Sequence, residues 1–410
     1  MKISIRDIGV VHEADIKLDG LTVIAGANGI GKSAIGKAIY CLAQSIVKLS
    51  EHSSNDMFKR FTKYLFKNIA KEDKQLLRSI IQPHNTHYNR NELNNIFTAL
   101  RSKYPQLVKD WQNDDDNRRY SFDHRLVVAE SHDDLIQSVF KSSYHNKVNK
   151  NNSSSIKIDF PSKALKTVFD ITDNKSILGG NFGTQYIGTP TLIESPLTLT
   201  LHHYIRENLA FQNAQNHLLP DYIRDLVQKI SESSYTPDYN KPLCLIIQNI
   251  IDGQVVIIDD QLFYKDNEDI NHPIQNVAAG IKSFGLIQLL LAGGNINKDS
   301  LLIIDEPEIH LHPSWQVKYA EVLVALIKEG IPVLLTSHSS YFIEALDVYT
   351  QNEQIADQLN VYLGEMTEKG SVFKDVTEDL EPVYKAFAAP MVELMVERSR
   401  GTKSKKEVSK

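Results

Sequence analysis

The sequence predicts an α/β fold organised around a parallel sheet, and three stretches carry that prediction. The first is GANGIGKS at residues 26–33, preceded by the apolar run LTVIA and followed by the helix-like AIGKAIYCLAQSIV. The second is LLIIDEPEIHLHP at residues 301–313, an apolar strand pattern ending in carboxylates. The third is IPVLLTSHSS at residues 331–340, reached through the helix-like WQVKYAEVLVALIKEG. Short apolar runs alternating with helical patterns are the signature of strands buried on both faces of a parallel sheet.

The first stretch is a complete phosphate-loop pattern, G-x-x-x-x-G-K-[ST], in the strand-loop-helix context that the motif requires. Gly26, Gly29 and Gly31 allow tight turns, so that backbone N–H groups along Ala27, Asn28, Ile30 and Ala34 and the helix N-terminus can point at phosphate. Lys32 is placed to reach the β- and γ-phosphates, and the Ser33 hydroxyl to coordinate Mg²⁺. In the second stretch Asp305 closes a strand, where a carboxylate can hold Mg²⁺. Glu306 is placed to polarise an attacking water. Glu308 is expected at most to line the site. His338, just beyond the third strand, can hydrogen-bond the γ-phosphate or the lytic water.

In that order, the phosphate loop, a long insertion, DEPEIHLHP and TSHSSYFIEAL resemble the ABC-type ATPases of the overcoming-lysogenization-defect class, relatives of the SMC and RecF ATPases. His310, Leu311, His312 and Pro313 are the most characteristic residues. The resemblance covers residues 1–48 and 180–397, including YIGTPTLIESPLTLTL and NVAAGIKSFGLIQLLL. It implies a P-loop NTPase of the ABC-ATPase head type, with an antiparallel β subdomain and a large helical insertion. ATP and Mg²⁺ are the implied ligands.

The resemblance also places a signature loop at Val277, Ala278, Ala279 and Gly280, where Leu-Ser-Gly-Gly is usual. Its serine hydroxyl is missing, so either backbone N–H groups around Gly280 together with Lys282 contact a partner protomer's nucleotide instead, or activation across the dimer is weak. No glutamine can be assigned to the family's Q-loop.

Elements and domains follow from the pattern in order. Residues 3–8 and 12–18 read as strands of the antiparallel subdomain. Residues 1–48 and 272–397 form the expected ATPase core, with 49–147 a helical insertion broken by Pro83 and HNTHYNRN. That insertion sustains no heptad repeat, so no long coiled-coil arm is expected. A linker, HNKVNKNNSSS, leads into a second lobe at 148–271, in which IIDGQVVIIDDQLFY reads as a hairpin turning at Asp252 and Gly253. NVYLGEM and SVFKDVT read as strands and residues 380–397 as a closing helix. Residues 398–410 are read as a disordered basic tail.

Composition narrows the function. The chain has 410 residues and a net charge of −6, which argues against a surface coated in basic groups for nucleic acid but leaves direct DNA binding open. Its two cysteines, Cys41 and Cys244, suit a reducing compartment and form no zinc pattern. The N-terminus lacks an apolar leader, and no run approaches the length that crosses a bilayer, so a cytoplasmic protein without a membrane role is expected. No acidic nuclease cluster follows His338. The resemblance therefore implies a homodimer or higher homo-oligomer working with a separately encoded effector, an HNH nuclease in the Septu type of anti-phage defence. A DNA-repair head and a nucleotide-bound scaffold remain the alternatives.

Overall fold

The computed structural model describes residues 1–48, 124–140, 153–159, 166–172, 175–180, 188–211 and 219–407, with single helical positions among 98–109. The chain opens with β1 (Lys2–Ile8), β2 (Val11–Lys17) and β3 (Leu21–Ala25), and helix α1 occupies residues 32–48. Next come α2 (His124–Phe140), β4 (Ser153–Asp159), β5 (Lys166–Thr172), β6 (Lys175–Gly180) and β7 (Thr189–Ile193). Three helices, α3 (Leu197–Phe211), α4 (Asp221–Glu232) and α5 (Pro242–Ile251), lead to β8 (Gly253–Ile258), β9 (Gln261–Asp266) and β10 (Asn271–Pro273). The chain continues through α6 (Ala279–Ala292), β11 (Ser300–Asp305), α7 (Pro313–Lys328), β12 (Val333–Ser337) and α8 (Ser340–Asn352). It closes with β13 (Leu359–Thr367), β14 (Gly370–Asp375) and α9 (Glu381–Glu407).

Eleven strands join in one mixed sheet in the order β6-β5-β4-β1-β2-β14-β13-β3-β12-β11-β7. From β13 to β7 the neighbours run parallel. From β6 to β2 they run antiparallel. The expected antiparallel subdomain is thus present, but it is continuous with the parallel half, because β14 pairs with β13 on one side and β2 on the other. A second sheet holds β10, β9 and β8.

Period-two alternation divides the strand residues between two cores. Leu21, Val23 and Ala25 enter the core shared with α5 to α8, as do Leu302, Ile304, Val333 and Leu335. Ile24, Leu301, Ile303 and Leu334 face the opposite core, against Ile35, Ile39 and Tyr40 of α1. Both faces of the parallel half are buried, which is why its strands read as unbroken apolar runs.

The second-lobe hairpin differs from expectation. Asp252 takes a left-handed conformation (φ 54°) as the C-cap of α5, and β8 starts at Gly253. The turn between β8 and β9 is Asp259–Asp260, with φ of 47° and 63°. Two successive residues of positive φ match the twist of a two-residue hairpin, and a left-handed residue after a helix satisfies its last carbonyls. The Asp-Gly signal was therefore a helix cap.

The closing helix is also longer than expected. It runs to Glu407, through the stretch assigned to a disordered tail, where lysine and glutamate favour helix despite Gly401. The long-arm expectation and most of the helical insertion lie outside the described residues, α2 excepted. Among the described residues no helix is long and apolar enough to cross a membrane.

Candidate active site

Parallel strands present their carboxyl ends on one edge, and a ligand site forms there. Register brings the ends of β7, β11, β12 and β3 level: Ile193 pairs with Ile304, Asp305 with Thr336, and Ser337 with Ala25. Residues far apart in sequence are thereby placed around the loop at residues 26–31.

The loop is built by its glycines. At Gly31 (φ 93°) a Cβ would stand 2.7 Å from Val11 Cγ2 and 2.8 Å from Val10 Cγ2. At Gly26 (φ 148°) it would stand 2.2 Å from Ile30 Cδ1. Ile30 is turned inward and buried, while Ala27, Asn28 and Gly29 form an exposed crest. The Gly26 N–H donates to Ser337 O at 3.3 Å, pinning the loop to the end of β12.

Lys32 is only 4% exposed, yet its ammonium is fully engaged. It donates to the carbonyls of Gly26 and Ala27, each at 3.0 Å, and lies 2.9 Å from Glu306 Oε1. The Ser33 hydroxyl donates to Asp305 Oδ1 at 3.0 Å, and the Thr336 hydroxyl donates to the same oxygen at 2.5 Å. Burial pushes the Asp305 carboxyl up, against hydrogen bonds from Thr336 and Ser33 that lower it.

Glu306 is held in a left-handed conformation (φ 45°, ψ 58°), and its N–H donates to Thr336 Oγ1 at 3.0 Å. This turn swings its carboxylate between Lys32 and His338, whose Nδ1 lies 3.4 Å from Glu306 Oε2. The same Nδ1 is 3.4 Å from Glu308 Oε1.

Glu308 is more than the lining residue expected. At 3% exposure it accepts from the Ser337 hydroxyl at 2.7 Å and from the His338 N–H at 2.8 Å, fixing the strand end that carries the histidine. Burial raises its carboxyl, opposed by those two hydrogen bonds. Glu308 Oε2 and His338 Nδ1 make no hydrogen bond, although both are buried.

Sequence reasoning missed Glu194. It follows β7, so strand register carries it to the same edge as Asp305, and it lines a cavity of about 70 Å³ with Asp305, Glu306, His310 and Ser283. Lys37 of α1 reaches Glu194 Oε1 at 2.7 Å, and the Tyr222 hydroxyl donates to Oε2 at 2.6 Å. Burial alone would raise this carboxyl, but the two hydrogen bonds outweigh it and hold it below its ordinary range. The available signal was a carboxylate closing the apolar run TPTLI. A larger cavity of about 710 Å³, bounded by Glu13, Asp15 and Tyr362, lies on the antiparallel half and contains none of these groups.

Gly280 and Lys282 belong to the first turn of α6. Gly280 packs under Trp315, where a Cβ would come within 3.0 Å of the ring. Lys282 is buried, and its ammonium donates to Thr200 Oγ1 of α3 at 3.0 Å and to Gln275 O at 3.5 Å. Its desolvation lowers its pKa. Adjacent helix positions point about 100° apart, so Ser283 lines the cavity beside Glu306 while Lys282 faces α3. His312 caps α7, with its Nδ1 accepting from Ser314 N.

The residues fit a magnesium nucleotide. Mg²⁺ is typically bound through one or two protein oxygens together with phosphates and water, and Ser33 and Asp305 supply such a pair of hard donors. Among the described residues no group of three or more His, Cys, Asp or Glu side chains gathers to hold a metal. The glycine cradle, the buried Lys32 and the unbonded His338 Nδ1 complete a surface suited to polyphosphate.

The chain is similar to several known proteins. A family profile described as an AAA ATPase domain matches residues 1–343. The Septu protein PtuA of Bacillus thuringiensis is 30% identical over 94 residues, 20% of this chain and 22% of that protein's length. Among solved structures, the SMC head domain from Thermotoga maritima aligns over 92% of this chain and 98% of its own, at 10% identity and a TM-score of 0.41. The Smc head domain with an extended coiled coil from Pyrococcus furiosus aligns over 96% and 98%, at 11% identity and a TM-score of 0.43.

Proposed function

This chain belongs to the AAA ATPase family, and on that premise we propose that it hydrolyses MgATP as a subunit of a bacterial anti-phage defence complex. Two copies close around nucleotide and thereby hold or release a separately encoded effector, an HNH nuclease in this reading. The observation that carries the catalytic part is the convergence of Lys32, Ser33, Asp305, Glu306 and His338 at one sheet edge. The match to Septu PtuA supports the defence part.

The site's own contacts suggest how turnover is gated. Lys32 is paired with Glu306 and donates hydrogen bonds to the loop carbonyls. A γ-phosphate competes for that ammonium and frees the Glu306 carboxylate to orient water. Ser33 and Asp305 hold the metal, whose positive charge, when it is bound, stabilises charge developing on the transferred phosphoryl group. His338, held by Glu308, faces the water and the γ-phosphate. Across the dimer, the N-terminus of α6 at Gly280 meets the second copy's nucleotide, and ATP favours the closed state through its differential affinity. Lys282 acts in this scheme by fixing α6 to α3.

The test is a phage-challenge assay beside ATP turnover with and without duplex DNA. The proposal expects that Lys32→Ala abolishes protection, that turnover does not depend on DNA, and that the nuclease co-purifies in a nucleotide-dependent manner. Protection by Lys32→Ala, or turnover raised strongly by DNA with steep salt dependence, would replace it with a DNA-binding head.

A further inference from the structure

The site proposed above gives a bound nucleotide a direction. Its γ-phosphate end meets Glu306 and His338, which follow β11 and β12 on one side of β3. Its base end therefore leaves towards the other side of β3, where the sheet continues through β13, β14 and β2. On that side β13 runs parallel to β3 and outruns it. Leu363 pairs with Ala25, the last residue of β3, and residues 364–367 continue about 13 Å beyond that rung. The overhang is fixed to the phosphate loop. A Cβ at Gly364 would stand 2.4 Å from Ile30 Cδ1, and one at Gly26 would stand 3.3 Å from Gly364 O. The fully buried Ser371 of β14 donates its hydroxyl to Ile30 O at 2.6 Å and its N–H to Val10 O at 2.8 Å. Hairpin, loop and β1–β2 turn are thereby tied together.

Strand register decides on which face Met366 stands. Met366 is the direct partner of Ser371, and cross-strand partners share a face, as do residues two apart along one strand. Ser371 and Gly364 both meet Ile30 of the loop, so Met366 leaves the hairpin on the loop's face, one step further out. It is 55% exposed, whereas Leu359, Val361, Tyr362 and Leu363, the apolar residues before it in β13, are all buried. We propose that Met366 is the base-contacting residue of the nucleotide site, its side chain packing on the face of the base. The proposal rests on the MgATP reading given above and adds what selects the nucleotide. A thioether packs favourably against aromatic rings and carries no hydrogen-bond donor. Met366 therefore grades ligands by ring area: a purine nucleotide gains more than a pyrimidine nucleotide, and a phosphate chain without a base gains nothing. It takes no part in the hydrolytic step.

The test is competition against a ribose-labelled fluorescent ADP on the full chain with Mg²⁺, using ADP, CDP and inorganic pyrophosphate as competitors. Met366→Ala is expected to weaken ADP about fivefold to tenfold, CDP by at most about twofold, and pyrophosphate not at all. Met366→Leu keeps the apolar bulk and is expected to bind ADP within about twofold of wild type. Melting temperatures without nucleotide are expected to be unchanged in both variants, because Met366 lies outside the cores. Photolysis of bound 8-azido-ADP is expected to label a peptide containing Met366. A loss of ADP affinity below about twofold in Met366→Ala, an equal loss for pyrophosphate, or a label absent from that peptide would each overturn the proposal and leave the phosphate site standing. Lys32→Ala separates the two readings, since it is expected to weaken ADP and pyrophosphate alike. A wild type that binds neither ADP nor pyrophosphate would overturn the nucleotide reading itself.

Discussion

Replacing Glu306 separates what its backbone costs from what its side chain does. Its φ of 45° and ψ of 58° lie in the left-handed region, which costs an ordinary L-residue about 1–2 kcal/mol. Glu306→Ala and Glu306→Gly both remove the carboxylate and both leave Lys32 bonded to Gly26 O and Ala27 O. They differ only by a Cβ at positive φ. Glycine relieves the left-handed cost but gains about 0.4–1 kcal/mol of entropy in the unfolded chain. The glycine variant should therefore be the more stable of the two by about 0.5–1 kcal/mol, the reverse of the order found in a helix interior. In thermal unfolding without nucleotide that is at most about 2–4 °C. Phosphate release should be abolished in both. An alanine variant as stable as the glycine variant would refute the strained turn. Residual turnover in either near the wild-type rate would remove the carboxylate from catalysis.

Other perturbations give equally defined outcomes. Glu308→Ala strips the acceptor from the Ser337 hydroxyl and the His338 N–H, costing about 1–3 kcal/mol. It should lower turnover more than nucleotide affinity, with Glu308→Gln recovering most of the stability; equal losses of kcat and affinity would contradict a positioning role. Gly31→Ala drives a Cβ into Val10 and Val11 at φ 93° and should weaken nucleotide binding at least tenfold by fluorescence titration. An affinity within twofold of wild type would show the loop to be tolerant. Acid should destabilise the fold through its buried histidines: burial lowers His202 to about 4 and His132 to about 3. Because the folded values lie below the unfolded one, their stabilisation is complete above about pH 6.5 and is lost as pH falls towards 4. For His202 the loss is at most about 3 kcal/mol. Urea titrations from pH 7 to 4.5 should show His202→Gln losing less stability than wild type across that range.

What was legible in the sequence was whatever a short motif fixes locally. The phosphate loop constrains Gly26, Gly31, Lys32 and Ser33 by steric and hydrogen-bonding demands within eight residues, so spacing and the flanking strand and helix singled them out as candidates. Asp305 and His338 were legible because each ends an apolar strand. Glu194, Lys37, Thr336 and Glu308 were not, since their roles exist only once parallel register has brought four strand ends level. The hairpin turn was misplaced because Asp-Gly serves a left-handed helix cap as well as it serves a tight turn. The final helix was cut short because basic composition was read as solvation, although lysine and arginine are good helix formers.

The central claim is that two distant strand ends and the glycine loop form one ATPase centre. The most direct measurement is Mg²⁺-dependent phosphate release by the purified chain, with nucleotide binding followed in parallel, for wild type, Lys32→Ala and Glu306→Gln. The account predicts turnover in the wild type, loss of binding and turnover in Lys32→Ala, and binding without turnover in Glu306→Gln. Binding without hydrolysis by the wild type, or undiminished turnover in Glu306→Gln, would contradict it.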